Sequence, residues 1–162
     1  MALTYSLRTA ADLYAKLKRD AAALDEEVSS DKAFDFLVTA HHLEEWIRKD
    51  PTTRGPIAER LAALKPNSYL TLCSDLANAS KHFVQGRKGA IEEVHGDQGF
   101  GMGRYGKGSH GVGEESITIH LADGTSLSIL DLSNEVMKFY GQVFDDLGTP
   151  TEGQCADDSQ PS

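Results

Sequence analysis

Only two cysteines, Cys73 and Cys155, occur in 162 residues, too few for the disulfide framework of a small secreted domain. One sits in a helical apolar pattern and the other in a polar stretch. Both read as free thiols of a reduced, cytoplasmic protein. Long apolar runs are missing as well. None approaches the ~18 residues needed to cross a bilayer, so no membrane partner is expected. Met1 to Ser6 shows no basic stretch followed by an apolar one, and no secretory leader is expected either. Positive charge is scarce: 16 Lys and Arg stand against 25 Asp and Glu, a net charge of −9. Such a surface repels phosphate backbones and disfavours non-specific nucleic-acid binding. The basic clusters, Lys16-Leu17-Lys18-Arg19 and the set Lys81, Arg87 and Lys88, leave room for a local basic groove only. What remains is ordinary. At 40% hydrophobic and 25% charged residues, the chain can bury one real core and is expected to form a single domain.

The pattern along the chain is mainly helical. Ala10, Leu13, Tyr14, Leu17, Ala21, Leu24 and Val28 recur at three and four, the stripe of an amphipathic helix, with Thr9 and Asp12 as its N-terminal cap. A second helix starts at Ser30 or Asp31 and stops at Asp50-Pro51. Phe36, Ala40, Leu43 and Ile47 mark one face, but Phe34, Val38 and Trp46 are apolar elsewhere, which predicts a central helix covered on several sides. Pro56 opens a short third helix closed by Pro66. The fourth begins near Asn67 or Ser68, with Leu72, Cys73, Leu76, Ser80 and Phe83 inward.

Past Val84 the texture changes. Residues 90–95 suit a short strand, and the Gly-rich stretch 96–113 is expected to be a loop, since each glycine adds backbone entropy that ordering must overcome. Ile117, Ile119 and Leu121 alternate with polar residues, Asp123-Gly124 makes a tight turn, and Leu127 and Ile129 alternate on the return, giving a hairpin over 115–130. A last helix is expected from Asp131 or Ser133 to Gly148. The fold class is therefore an antiparallel helical bundle of about five helices over 1–148, with a β-hairpin inserted before the last helix and a disordered tail over 149–162.

Two groups of residues could carry chemistry. Asp75, Asn78 and His82 lie at i, i+3 and i+7 of the fourth helix, one polar stripe. They suit a general base with its orienting partners, a partial metal site or, with Lys81, a phosphate contact; equally they suit a solvated helix face. His41-His42-Leu43-Glu44-Glu45-Trp46 puts two i,i+3 His–Glu pairs on the second helix, structural pairs or half of a metal site. Should those two helices pack side by side, the groups would converge. Gly101-Met102-Gly103-Arg104-Tyr105-Gly106 satisfies GxGxxG, but no strand–helix context surrounds it, so no dinucleotide cofactor is implied. His95, His110 and His120 are isolated, no nucleophile elbow is present, and Cys73 reads as an inert buried thiol.

The runs Phe34-Asp35-Phe36-Leu37-Val38-Thr39-Ala40-His41-His42-Leu43-Glu44-Glu45-Trp46 and Cys73-Ser74-Asp75-Leu76-Ala77-Asn78-Ala79-Ser80-Lys81-His82-Phe83 resemble a family of uncharacterised bacterial proteins. Its pattern is a His-x-x-acid-Trp helix and a later helix ending in Asn-x-x-Lys-His. The resemblance singles out His42, Glu45, Asp75, Asn78 and His82 as catalytic positions and Lys81 as substrate-binding, whereas periodicity brings His41 and Glu44 closer to the apolar face. More distantly the chain is similar to the HEPN superfamily of small, often dimeric helical domains, many of them RNases of stress and defence systems. Where that signature has an arginine five to seven residues before its histidine, this chain has Ala77, Leu76 and Asp75 before His82. Three functions follow as expectations: a HEPN-like, nuclease-type module, a metal-dependent hydrolase built on the His/Glu/Asp cluster, and a non-catalytic interaction module. A homodimer through helix faces is also expected, because five helices offer limited cover for the second.

Overall fold

The computed structural model describes residues 6–82, 90–98 and 115–145. The described chain is mainly helical with a small three-stranded antiparallel sheet. In order these are α1 (Ala10–Glu26), α2 (Ser30–Lys49), a 3-10 turn (Pro51–Thr53), α3 (Pro56–Leu64), α4 (Ser68–His82), β1 (Ile91–Gln98), β2 (Glu115–Leu121), β3 (Ser126–Ser128) and α5 (Ile129–Phe144).

Local chemistry sets where the helices start. The Thr9 hydroxyl accepts from the Asp12 N–H at 3.1 Å, and the Asp12 carboxylate accepts from Thr9 N–H at 2.9 Å, a reciprocal cap that uses two otherwise orphan donors. The next free donor, the Ala10 N–H, goes to Asp50 Oδ2 at 2.7 Å. Asp50 is itself the C-cap of α2, and its other oxygen accepts the Thr52 N–H and hydroxyl at 2.8 Å. One carboxylate thus ties the start of α1 to the end of α2. Glu115, the first residue of β2, plays the same part at the other end of α2. Its carboxylate accepts the Ser30 N–H at 2.7 Å and the Ser30 hydroxyl, a negative charge at the positive end of the helix dipole.

α2 runs through the middle, with α1 on one side and α4 on the other. Phe36, Ala40, Leu43 and Ile47 are buried in the seam. α5 closes it: Tyr140, fully buried, donates its hydroxyl to the Ala40 carbonyl at 2.8 Å. α3 packs on α5, and the Arg60 Nε donates to the Val143 carbonyl at 2.7 Å. Among the described residues, cover for α2 is incomplete. Val38 and Trp46 are half-buried, and Phe34 is 49% exposed. Between α1 and α2, Lys16 Nζ meets Asp20 at 2.5 Å and Thr39 Oγ1 at 3.0 Å, while Thr39 also donates to Asp20 at 2.7 Å. This knot satisfies the buried Thr39 hydroxyl and holds the two helices in register.

Two boundaries differ from the sequence expectation. β1 continues through Gly96 to Gln98, although the loop was expected from residue 96. Pairing with β2 supplies the reason: Val94 faces Ile119, Gly96 faces Ile117 and Gln98 faces Glu115, so ladder bonds offset the glycine entropy. The irregularity at Glu92, between Ile91 and Glu93, lets the strand keep this register. α5 begins at Ile129 rather than at Asp131 or Ser133. Ser128 is its cap, its hydroxyl accepting from Asp131 N–H at 3.0 Å while the Asp131 carboxylate accepts from Ser128 N–H at 3.2 Å. Asp131 is thus the third helical residue, and Ile129 belongs to the helix, not to the return strand that was expected to reach 130. The helix ends at Phe144, with Asp145 left-handed at φ 55°. The expected stop at Gly148, the tail 149–162, and the Gly-rich stretch from residue 99 lie outside the described residues.

Asp50 gives a pH test of the helix tie. Burial pushes its carboxyl up, but hydrogen bonds from the Ala10 N–H, the Thr52 N–H and the Thr52 hydroxyl outweigh this and leave it below its ordinary value. A group depressed in the folded state adds stability that is complete above its unfolded pKa, about 3.9, and fades as pH falls through the folded value. The wild-type melting temperature should therefore fall more steeply below about pH 4 than that of Asp50→Asn. Identical acid profiles in thermal melts would show that this carboxylate holds nothing.

Candidate functional site

The seam between α2 and α4 is built from successive turns. The Cys73 thiol points to the Leu37 carbonyl at 3.6 Å, and burial pushes its pKa up to about 12, so it stays protonated and unreactive at neutral pH. One residue on, the Ser74 hydroxyl lies 3.1 Å from Nδ1 of His41, half-buried on α2. Another turn along α2, the Glu44 carboxylate is only 16% exposed and is ion-paired to both Arg48 and Lys65. So His41 and Glu44 are the members of the double His–Glu run that face the packed interior.

His42 and Glu45 face elsewhere. A residue later on a helix is turned by about 100°. His42 is exposed and lines a cleft of about 410 Å³ between α1 and α2, together with Lys16, Thr39, Asp35, Val38 and Trp46. Glu45 is exposed and paired to Lys49 at 2.5 Å; that ammonium, by hydrogen bond and then by charge, holds its carboxyl below the ordinary value. On α4, Asp75 is half-buried beside Ser74, and Asn78 is exposed one turn on. Lys81 and His82 end the helix, and their side chains lie outside the described residues. Among the described residues, no hydrogen bond or ion pair joins His42 or Glu45 to Asp75 or Asn78.

It matches no family model, no curated protein and no solved structure.

Chemical capability thus rests on side chains. A serine hydroxyl within hydrogen-bond reach of an imidazole can pass or accept a proton, and a neighbouring carboxylate can bias that exchange. His41 and Ser74 supply such a pair on the α2–α4 seam, while Asp75, the carboxylate next in sequence, is turned about 100° around α4 and half-buried. Glu44, with two cations on it, is committed to holding α2 against the segment after α3. Among the described residues, no three His, Cys, Asp or Glu side chains are grouped so as to hold a metal ion. No helix among them is long and apolar enough to cross a membrane. The family pattern passed over His41, Glu44 and Ser74. The signal that finds the first two is the helical period, which sets them one turn apart beside Leu43 and Ile47; nothing in the sequence marks Ser74, whose role depends on which helix lies opposite.

Proposed function

We propose that the chain is a HEPN-like bundle protein of a bacterial stress or defence system, acting in the cytoplasm on RNA through the polar stripe of α4. The observation that carries this reading is the side-by-side packing of the two motif helices, tied by His41 to Ser74 at 3.1 Å. That packing brings Ser74 to the seam, and half-buried Asp75 and exposed Asn78 follow it on the helix that ends in Lys81 and His82. Asn78 and His82 are the two positions of the HEPN signature that this chain keeps. The catalytic work then falls to His82 as proton donor or acceptor, with Asp75 and Asn78 orienting the substrate and Lys81 meeting a phosphate. His42 and Glu45 take a smaller part in this reading, because each faces away from α4.

An assay of purified full-length protein on a mixed single-stranded RNA pool tests it. Cleavage by the wild type, lost in His82→Ala and in Asn78→Ala but kept in His42→Ala, is the expected result. Equal cleavage by all variants would assign the activity to a contaminant and end the proposal, as would no cleavage by the wild type. An interaction module is the second reading, favoured by one observation. An apolar cavity of about 350 Å³ opens between α2, α4 and the sheet, lined by Phe34, Leu37, Leu76, Val94, Ile117 and Ile129 among others.

A further inference from the structure

Strand β1 has β2 on one side, and among the described residues nothing pairs with its other edge. It is the longest strand of the sheet at 8 residues, and Glu92 to Gly96 are all exposed. An open edge of that length is a template for another strand, and proteins usually blunt it with charge. Here the charge has a pattern. The strand reads Ile91-Glu92-Glu93-Val94-His95-Gly96. Glu93 and His95 stand on the outer face of the sheet, with Nε2 of His95 2.9 Å from the Glu93 carboxylate and its ring edge-on to His120 at 5.2 Å. Val94 points to the inner face, opposite Ile119, and is 44% exposed beside the half-exposed Phe34. Those two side chains are, among the described residues, two of the three large apolar ones left most open, and both line the same cavity.

We infer that a second copy of this chain completes the sheet, β1 pairing antiparallel with β1 of the partner about a two-fold axis at Val94. In that register Glu93 falls opposite His95 of the partner subunit and His95 opposite Glu93 of the partner subunit, with the irregularity at Glu92 just outside this pair. Charged or neutral, an imidazole N–H donates to a carboxylate, so both cross-strand pairs are favourable. An axis at Glu93 would set that carboxylate against its own copy, and an axis at His95 would set Glu93 at the position opposite the acidic residue 97 of the other copy. The strand is complementary to itself in one register and repulsive in the adjacent ones, as an isologous contact requires. The two Val94 side chains meet at the axis, where each extends the apolar lining that Phe34 leaves uncovered. This dimer uses the sheet edge, not the helix faces, and leaves the α4 stripe of both copies accessible.

Sedimentation velocity on the full chain tests the contact. Wild type should pass from 17.6 kDa towards twice that mass as concentration rises into the high micromolar range. A double variant Glu93→Lys/His95→Lys, and separately His95→Glu, should each remain monomeric, since like charges then face each other in the pairing register. Mixed one to one, they should dimerise, because the introduced lysines stand opposite carboxylates of the other variant. Circular dichroism of both variants should match the helical signal of the wild type, as a control for folding. Hydrogen exchange on the wild type gives a readout without substitution: the peptide covering residues 91–98 should gain protection with concentration. A wild type that stays monomeric throughout overturns the inference, whether the edge remains free or receives a strand from another protein. So does dimerisation of either variant alone as strong as that of the wild type, a mixture that stays monomeric, or a 91–98 peptide whose exchange ignores concentration.

Discussion

Tyr140→Ala should destabilise the protein by about 3–5 kcal/mol, and Tyr140→Phe by about 1 kcal/mol. The ring is fully buried on α5, edge-on to Phe139 with centroids 5.3 Å apart. Its hydroxyl reaches the Ala40 carbonyl on α2 at 2.8 Å, and burial pushes the phenol well above its ordinary pKa, so it remains a donor at every accessible pH. Removing the whole side chain leaves a cavity where α5 meets α2, and a packed interior collapses only partly into such a space. Removing the hydroxyl alone costs one hydrogen bond, because the Ala40 carbonyl keeps its helical partner. Urea unfolding of the two variants separates the terms. A Tyr140→Ala loss below about 1.5 kcal/mol would mean that α5 is not packed on α2 as described. A Tyr140→Phe loss as large as that of alanine would mean that the hydrogen bond, not the packing, holds the two helices. Ala40 immediately precedes His41, so the alanine variant should also loosen the α2–α4 seam.

How much of this was legible in the chain depends on how far apart the deciding residues stand. The reciprocal cap of α1 is written within four residues, Thr9 to Asp12, and the stop of α2 within two, Asp50 and Pro51; local chemistry of that kind reads directly. The start of α5 is equally local but was hidden by a coincidence of patterns. Leu127 and Ile129 alternate as a strand should, while Ser128 and Asp131 form a capping pair, and only the cap satisfies the amides at the start of the helix. The second role of Asp50 could not be read, because its partner, the Ala10 amide, lies 40 residues away. Nor could the pairing of β1 with β2, since the register that carries the strand past Gly96 is set by residues beyond the Gly-rich stretch. At the candidate site the helical period favoured His41 and Glu44, and the family pattern favoured His42 and Glu45. The seam follows the period, because which imidazole reaches a neighbouring helix is fixed by the buried face of α2.

That contrast leads to the second large effect. His41→Ala should cost about 1–2 kcal/mol and His42→Ala less than about 0.5 kcal/mol, although the two histidines are adjacent. His41 is half-buried with its Nδ1 3.1 Å from Ser74 Oγ, so removing the ring leaves a hydroxyl at the seam without that partner. His42 ends in an open cleft where water replaces whatever it loses. A double-mutant cycle isolates the link: His41→Ala and Ser74→Ala together should cost less than the sum of the single changes by about 0.5–1.5 kcal/mol. His42→Ala combined with Ser74→Ala should be close to additive, since the two share no hydrogen-bond partner and meet through nothing stronger than the tilted His41–His42 ring contact, centroids 5.3 Å apart. Chemical denaturation at pH 7 measures all five variants on one scale. Additivity in the first pair would remove the His41–Ser74 bond as the tie between α2 and α4. Coupling in the second would bring His42 back to the seam, and with it the single polar site that the family pattern implies.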